Sequence, residues 1–96
     1  MFIISLNYIK SLEEIDSFLD EHVIFLKKQY KENNFIASGR KVPRTGGIIL
    51  SKLDNIEDLE KVLNQDPFKI NNIAHYEIQE FVPSMTSVEF INLKEE

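Results

Sequence analysis

The chain has 96 residues, no cysteine and a formal net charge of −5. That length suits one domain over 1–96 with a modest core, burying about 60–65% of the unfolded surface, so dimerisation would cover further apolar area. Disulfides, thiolate catalysis and thiolate metal sites are excluded, and the dispersed basic residues argue against nucleic acid or an anionic membrane as partner.

No apolar run approaches the ~20 residues of a membrane helix, and the N-terminal stretch lacks a basic leader, so a cytoplasmic location is expected. Phe2, Ile4, Leu6 and Tyr8 alternate with Ile3, Ser5 and Asn7. Period two with β-forming residues predicts a first strand with one apolar face. Ser11-Leu12-Glu13-Glu14 matches a capping box, and a helix is predicted from there to about Glu32. Its apolar stripe is Leu12, Ile15, Phe18, Leu19, Val23, Leu26 and Tyr30, with His22 on or beside it.

Asn33-Asn34 ends the helix, and Phe35 to Ser38 read as the second strand. Gly39 to Gly47 read as a loop carrying Arg40 and Arg44, and Ile48 to Ser51 as the third strand. A second capping pattern at Asp54-Asn55-Ile56-Glu57 opens a helix that faces the core with Ile56, Leu59, Val62 and Leu63. It ends near Gln65, and Pro67 can open one more turn with Asp66 as its cap. Ala74 to Val82 alternate again as the fourth strand, with Tyr76 and Ile78 on the core side, and Ser87 to Leu93 could add a short edge strand.

The order β-α-β-β-α-β predicts an α+β, ferredoxin-like fold. Its antiparallel sheet has the order 4-1-3-2, with both helices on one face. In that topology the first helix runs antiparallel to the second, which could bring His22 to Asp66.

His22 has two readings. It is a packed imidazole bonded to a backbone carbonyl, or a general acid or base with a pKa suited to neutral pH. Asp66 is an N-cap, an acceptor that orients His22, or both, since a carboxylate has two oxygens. His75 falls on the opposite face of the fourth strand from Tyr76, which favours a solvent or dimer contact. Arg40 and Arg44 are solvated loop charges or clamps for a substrate carboxylate. Ser38-Gly39 could offer a hydroxyl and an amide to a ligand, or Gly39 could only permit a turn. No spacing matches a zinc motif, and Gly46-Gly47 lacks the phosphate-loop pattern, so no metal and no organic cofactor is expected.

Together these residues resemble the YciI-like (YCII-related) family of small bacterial α+β proteins. The matching features are Glu21-His22, Ser38-Gly39, the segment Gly46 to Leu50, and Asp66-Pro67-Phe68 followed by Ala74 to Phe81. The resemblance covers Met1 to about Val82. It implies a ferredoxin-like fold related to muconolactone isomerase, a homodimer of the dimeric α/β-barrel type, and an active site of a histidine and an aspartate. These map onto His22 and Asp66, with Ser38 and Gly39 in the same pocket. The family includes a lactone-processing dehydrochlorinase. This chain has Arg40 where many relatives have proline.

Two functions follow as expectations. One is a small enzyme whose His22–Asp66 pair performs proton transfer, elimination or isomerisation on a small organic acid or lactone, with Ser38, Gly39, Arg40 and Arg44 binding the substrate. The alternative is a non-catalytic dimeric module that binds a small ligand or a protein.

Overall fold

In the computed structural model, which describes residues 1–95, strand β1 (Phe2–Tyr8) lies inside the sheet. It pairs antiparallel with β3 (Gly46–Ser51) and with β4 (Ala74–Glu80), while β2 (Phe35–Arg40) pairs with the far side of β3. The order β2-β3-β1-β4 is the expected 4-1-3-2 read from the other edge.

Register decides what each face carries. Ile4 lies opposite Ile49 and Ile78, and Leu6 opposite Gly47 and Tyr76. These residues face the helices α1 (Leu12–Ser17), α2 (Leu19–Lys31), α3 (Ile56–Leu63) and α4 (Pro67–Ile70). Phe2, Ile4 and Leu6 share one buried cluster with Ile15, Phe25, Leu59, Leu63 and Phe68, so all four helices cover the same face. Each such fully buried large side chain contributes about 1.5–3 kcal/mol. The other face, with Ser5, Asn7, His75, Glu77 and Gln79, is half-buried or exposed.

β1 and β3 approach so closely that a Cβ at Gly46 would sit 1.7 Å from the Leu6 carbonyl oxygen. A hydrogen is the only side chain that fits there. Arg40 belongs to β2 and Gly46-Gly47 to β3, so the expected nine-residue loop shrinks to residues 41–45. The reading of Gly39 as a turn residue is overturned: Gly39 pairs with Ile48 as extended strand, and no glycine has a positive φ.

The first helix is not continuous. The Ser17 hydroxyl donates to the Glu14 carbonyl at 2.6 Å, and the Phe18 N–H turns to the Ile15 carbonyl three residues back. One turn tightens and the axis breaks at Phe18, the C-cap of α1 and N-cap of α2. The second capping pattern is shifted by one residue. Asn55 is the cap, its Oδ1 accepting from the Asp58 N–H at 2.9 Å and its Nδ2 donating to Asp58 Oδ2 at 3.0 Å. The edge strand expected at Ser87 to Leu93 is instead a 3-10 helix, Val88–Leu93. The adjacent Phe90 and Ile91 interrupt any alternation, the Phe90 N–H bonds locally to the Ser87 carbonyl, and β4 remains the sheet edge.

Candidate active site

The Asp66-Pro67 step performs two tasks at once. Pro67 opens α4 at the one position where a missing N–H costs nothing, and Asp66 caps it through Oδ1, which accepts from the Phe68 N–H at 3.0 Å. The same oxygen lies 2.7 Å from Nδ1 of His22, one turn into α2. The other oxygen, Oδ2, accepts from the Tyr76 hydroxyl of β4 at 2.5 Å. The Asp66 residue is fully buried, and a buried carboxylate persists as an anion only where donors replace water. Three donors do so.

The histidine is therefore bonded to a carboxylate and not to a backbone carbonyl. With the carboxylate accepting at Nδ1, the proton sits on Nδ1, and Nε2 has no protein partner among the described residues. Phe68 stacks on the imidazole at 3.9 Å between centroids and 3° between planes, and Phe25 lies beyond the ring at 6.3 Å and 30°. His22 is only 8% exposed. Burial first, then the Asp66 charge, pushes the Tyr76 hydroxyl far above the ordinary tyrosine value, so it stays a proton donor.

His22 forms part of the wall of a cavity of about 740 Å³ between α2 and the β2–β3 side of the sheet. Leu19, Val23 and Leu26 of the expected helical stripe line this space, as do Leu6, Ile49 and Phe68. The register places Ser38 and Arg40 opposite Ile49 and Gly47, on the helix face of edge strand β2. Ser38, Gly39, Arg40 and Arg44 all line the cavity together with His22, while Asp66 lies behind His22 and His75 is exposed on the other face of the sheet. The Ser38 hydroxyl is already bonded to the Tyr30 hydroxyl. A Cβ at Gly39 would meet nothing within 4 Å, so the wall is open there.

Arg44 is not a solvated loop charge. It pairs with Asp16 of α1 and lies 5.9 Å over the Tyr8 ring. The hydrogen bond from Arg44 holds the Asp16 carboxyl below its usual value and raises the guanidinium in turn. Arg40 has no carboxylate partner among the described residues.

Sequence reasoning put Tyr76 on the core side but gave it no task, and it passed over Tyr8 and Asp16 as site residues. Alternation could have signalled Tyr76, since a tyrosine on a core face needs a partner for its hydroxyl. No group of three or more His, Asp or Glu side chains among the described residues is arranged to hold a metal ion. No helix of the described residues is long and apolar enough to cross a membrane.

No curated protein matches the sequence. A solved structure with a similar fold is the 5-chloro-2-hydroxyhydroquinone dehydrochlorinase of Burkholderia phenoliruptrix AC1100, in complex with 2,5-dihydroxybenzoquinone. It superposes with a TM-score of 0.70 at 12% sequence identity, covering 84% of this chain and 93% of that one. That identity speaks for the fold. The sequence model of the YCII-related domain matches residues 1–82, which takes in the four strands, the buried Asp66 and the histidine bonded to it, and the chain belongs to that family.

Proposed function

We propose that this chain is a small enzyme that moves a proton on a small organic acid or lactone, with His22 as the base. The observation that carries the reading is the 2.7 Å contact of His22 Nδ1 with a buried, triply bonded carboxylate at the wall of a large cavity. Asp66 fixes the tautomer and balances the charge of the imidazolium. Nε2 is then the free basic nitrogen, and its lone pair lies in the ring plane that the stacked Phe68 helps to fix.

The step needs no cofactor. Nε2 takes a proton from carbon next to a carbonyl, and the C–H electron pair enters an enolate. The enolate expels a leaving group on the next carbon, or collects the proton again elsewhere along the conjugated system. Elimination results in the first case and isomerisation in the second. In this reading Ser38 and the Gly39 backbone receive the substrate oxygen and Arg40 a carboxylate, and their common position on the cavity wall supports it. The fold shared with a dehydrochlorinase supports a substrate of this size and kind. A homodimer and a cytoplasmic location accompany the reading.

The test replaces His22 with Ala and with Asn and follows turnover of lactones, unsaturated acids and hydroxylated quinones by absorbance. Turnover is expected to fall by about 100-fold or more, the usual worth of a positioned general base. Variants that match the native rate on an accepted substrate would refute the assignment.

The low exposure of His22 favours a second reading, a structural imidazole inside a binding module. There His22→Gln lowers thermal stability and leaves ligand affinity unchanged. Nε2 without a protein partner favours the enzyme, because a structural histidine gains by satisfying both nitrogens.

A further inference from the structure

Asp66 Oδ2 is bonded to Tyr76 and Oδ1 to His22 and the Phe68 amide, so one buried charge is divided among three donors. The division has a chemical consequence. A carboxylate stabilises an imidazolium in proportion to the charge it still presents to the ring, and each additional donor draws some of that charge away. We propose that Tyr76 is a positioning residue that sets the basicity of His22 through Asp66, holding the imidazole a weaker base than the aspartate alone would make it. The assignment deepens the proton-transfer reading above and rests on it for its meaning in catalysis, but the resting protein alone tests it.

Tyr76 is placed for this by β4. Its register opposite Leu6 aims the ring at the helix layer, and α4 supplies the carboxylate it meets. The other charged or titratable groups near this site make no hydrogen bond to Asp66. Tyr8 of β1 packs its ring edge-on to Phe68. Asp16 of α1 and Arg44 of the 41–45 loop neutralise each other across the cavity wall, and Arg40 of β2 lies on that same wall. The Lys69 ammonium of α4 lies 5.7 Å over the Tyr76 ring. Along the cavity β3 contributes Gly47, Ile48 and Ile49, and α3 packs against the core with Ile56, Leu59, Val62 and Leu63, none of them titratable. Of all these side chains only Tyr76 touches Asp66 Oδ2.

The donor must also stay a donor. Burial and the neighbouring carboxylate keep the hydroxyl protonated well past neutral pH. Its hydrogen bond to Asp66 therefore persists through the neutral range.

The experiment follows the His22 ring resonances by NMR across pH in the native protein, in Tyr76→Phe, and in protein carrying 3-fluorotyrosine at position 76 alone. Removing the donor returns charge to Asp66, and the His22 pKa is expected to rise by about half to one unit. Fluorination makes the phenol a stronger donor without opening a cavity, and the pKa is expected to fall. In an active assay the acid limb of the kcat/KM profile moves the same way in each variant. A packing role produces no pair of opposite shifts. Unchanged titration in both variants, or movement of the same sign, overturns the proposal, and the fluorinated protein decides the matter if Tyr76→Phe does not fold. An active His22→Ala variant would remove the catalytic reading and leave this coupling standing.

Discussion

The ring of Phe68 lies parallel to the imidazole of His22, 3.9 Å away, while the backbone N–H of the same residue bonds to the aspartate that His22 touches. One residue thus fixes the plane of the base and the position of its partner. Phe68 is 1% exposed, and its neighbours include Tyr8 edge-on at 6.0 Å. Phe68→Ala is expected to destabilise the fold by about 3–5 kcal/mol, the usual cost of emptying a buried aromatic site. Phe68→Leu refills much of that volume, so its cost is expected to be smaller, yet the imidazole gains freedom. Chemical denaturation checks the first statement, and broadened His22 ring resonances with reduced turnover check the second.

The two arginines at the cavity are expected to behave differently. Arg44 is committed to Asp16 and Arg40 is not. For a carboxylate substrate, Arg40→Ala is expected to raise KM about tenfold or more, since a hydrogen bond to a charged group is worth about 1.5–3 kcal/mol. Arg44→Ala is expected to change KM less. It returns the Asp16 carboxyl toward the ordinary aspartate value of 3.8. Whatever stability the pair lends is present above that unfolded value and is lost as acid carries the pH down through the lower folded one. Parallel kinetics and an NMR titration of Asp16 separate the two roles.

Alkaline solution offers a sign test of the buried hydroxyl. Burial holds the Tyr76 hydroxyl far above the ordinary tyrosine value of 10.0 in the folded chain. Above pH 10 the unfolded chain releases this proton and the native one keeps it, so stability falls as pH rises. The slope from this group approaches 1.4 kcal/mol per pH unit. Tyr76→Phe is expected to remove that part of the slope, and urea denaturation at stepped alkaline pH measures it.

The uncovered sheet face carries Ala37, Ile48 and Leu50 around a shallow groove near β2. If two copies meet there, Ile48→Glu is expected to give a folded monomer, because an unpaired charge in an apolar contact costs several kcal/mol. Sedimentation velocity of the native protein and the variant provides the check, and a monomeric native protein counts against the dimer.

Much of the fold was legible because register and period agree. Phe2, Ile4 and Leu6 alternate cleanly, and two β-α-β units admit few topologies, so strand order followed from topology. Asp66-Pro67 was equally readable, since a cap before proline is a local signal. The break at Phe18 was not, because it depends on whether the Ser17 hydroxyl bonds back to its own helix. The segment Val88–Leu93 misled because a short apolar stretch becomes a strand only where it pairs with a sheet edge, and here the backbone bonds locally instead. His22 and Asp66 stand 44 residues apart, and periodicity places each on its face without saying which atoms touch. The third partner, Tyr76, was visible as a core-side residue and silent as a donor.

The flanked imidazole has a practical corollary. Only two histidines exist in the chain, and His75 lies in the open on the far side of the sheet. A histidine-directed acylating reagent meets one of them in bulk solvent and finds the other largely buried at the chamber wall. Each molecule therefore carries its own internal reference. A compound lodged in the chamber would slow labelling at residue 22 and leave residue 75 untouched, so a mass spectrometer could screen for occupants before any reaction is known.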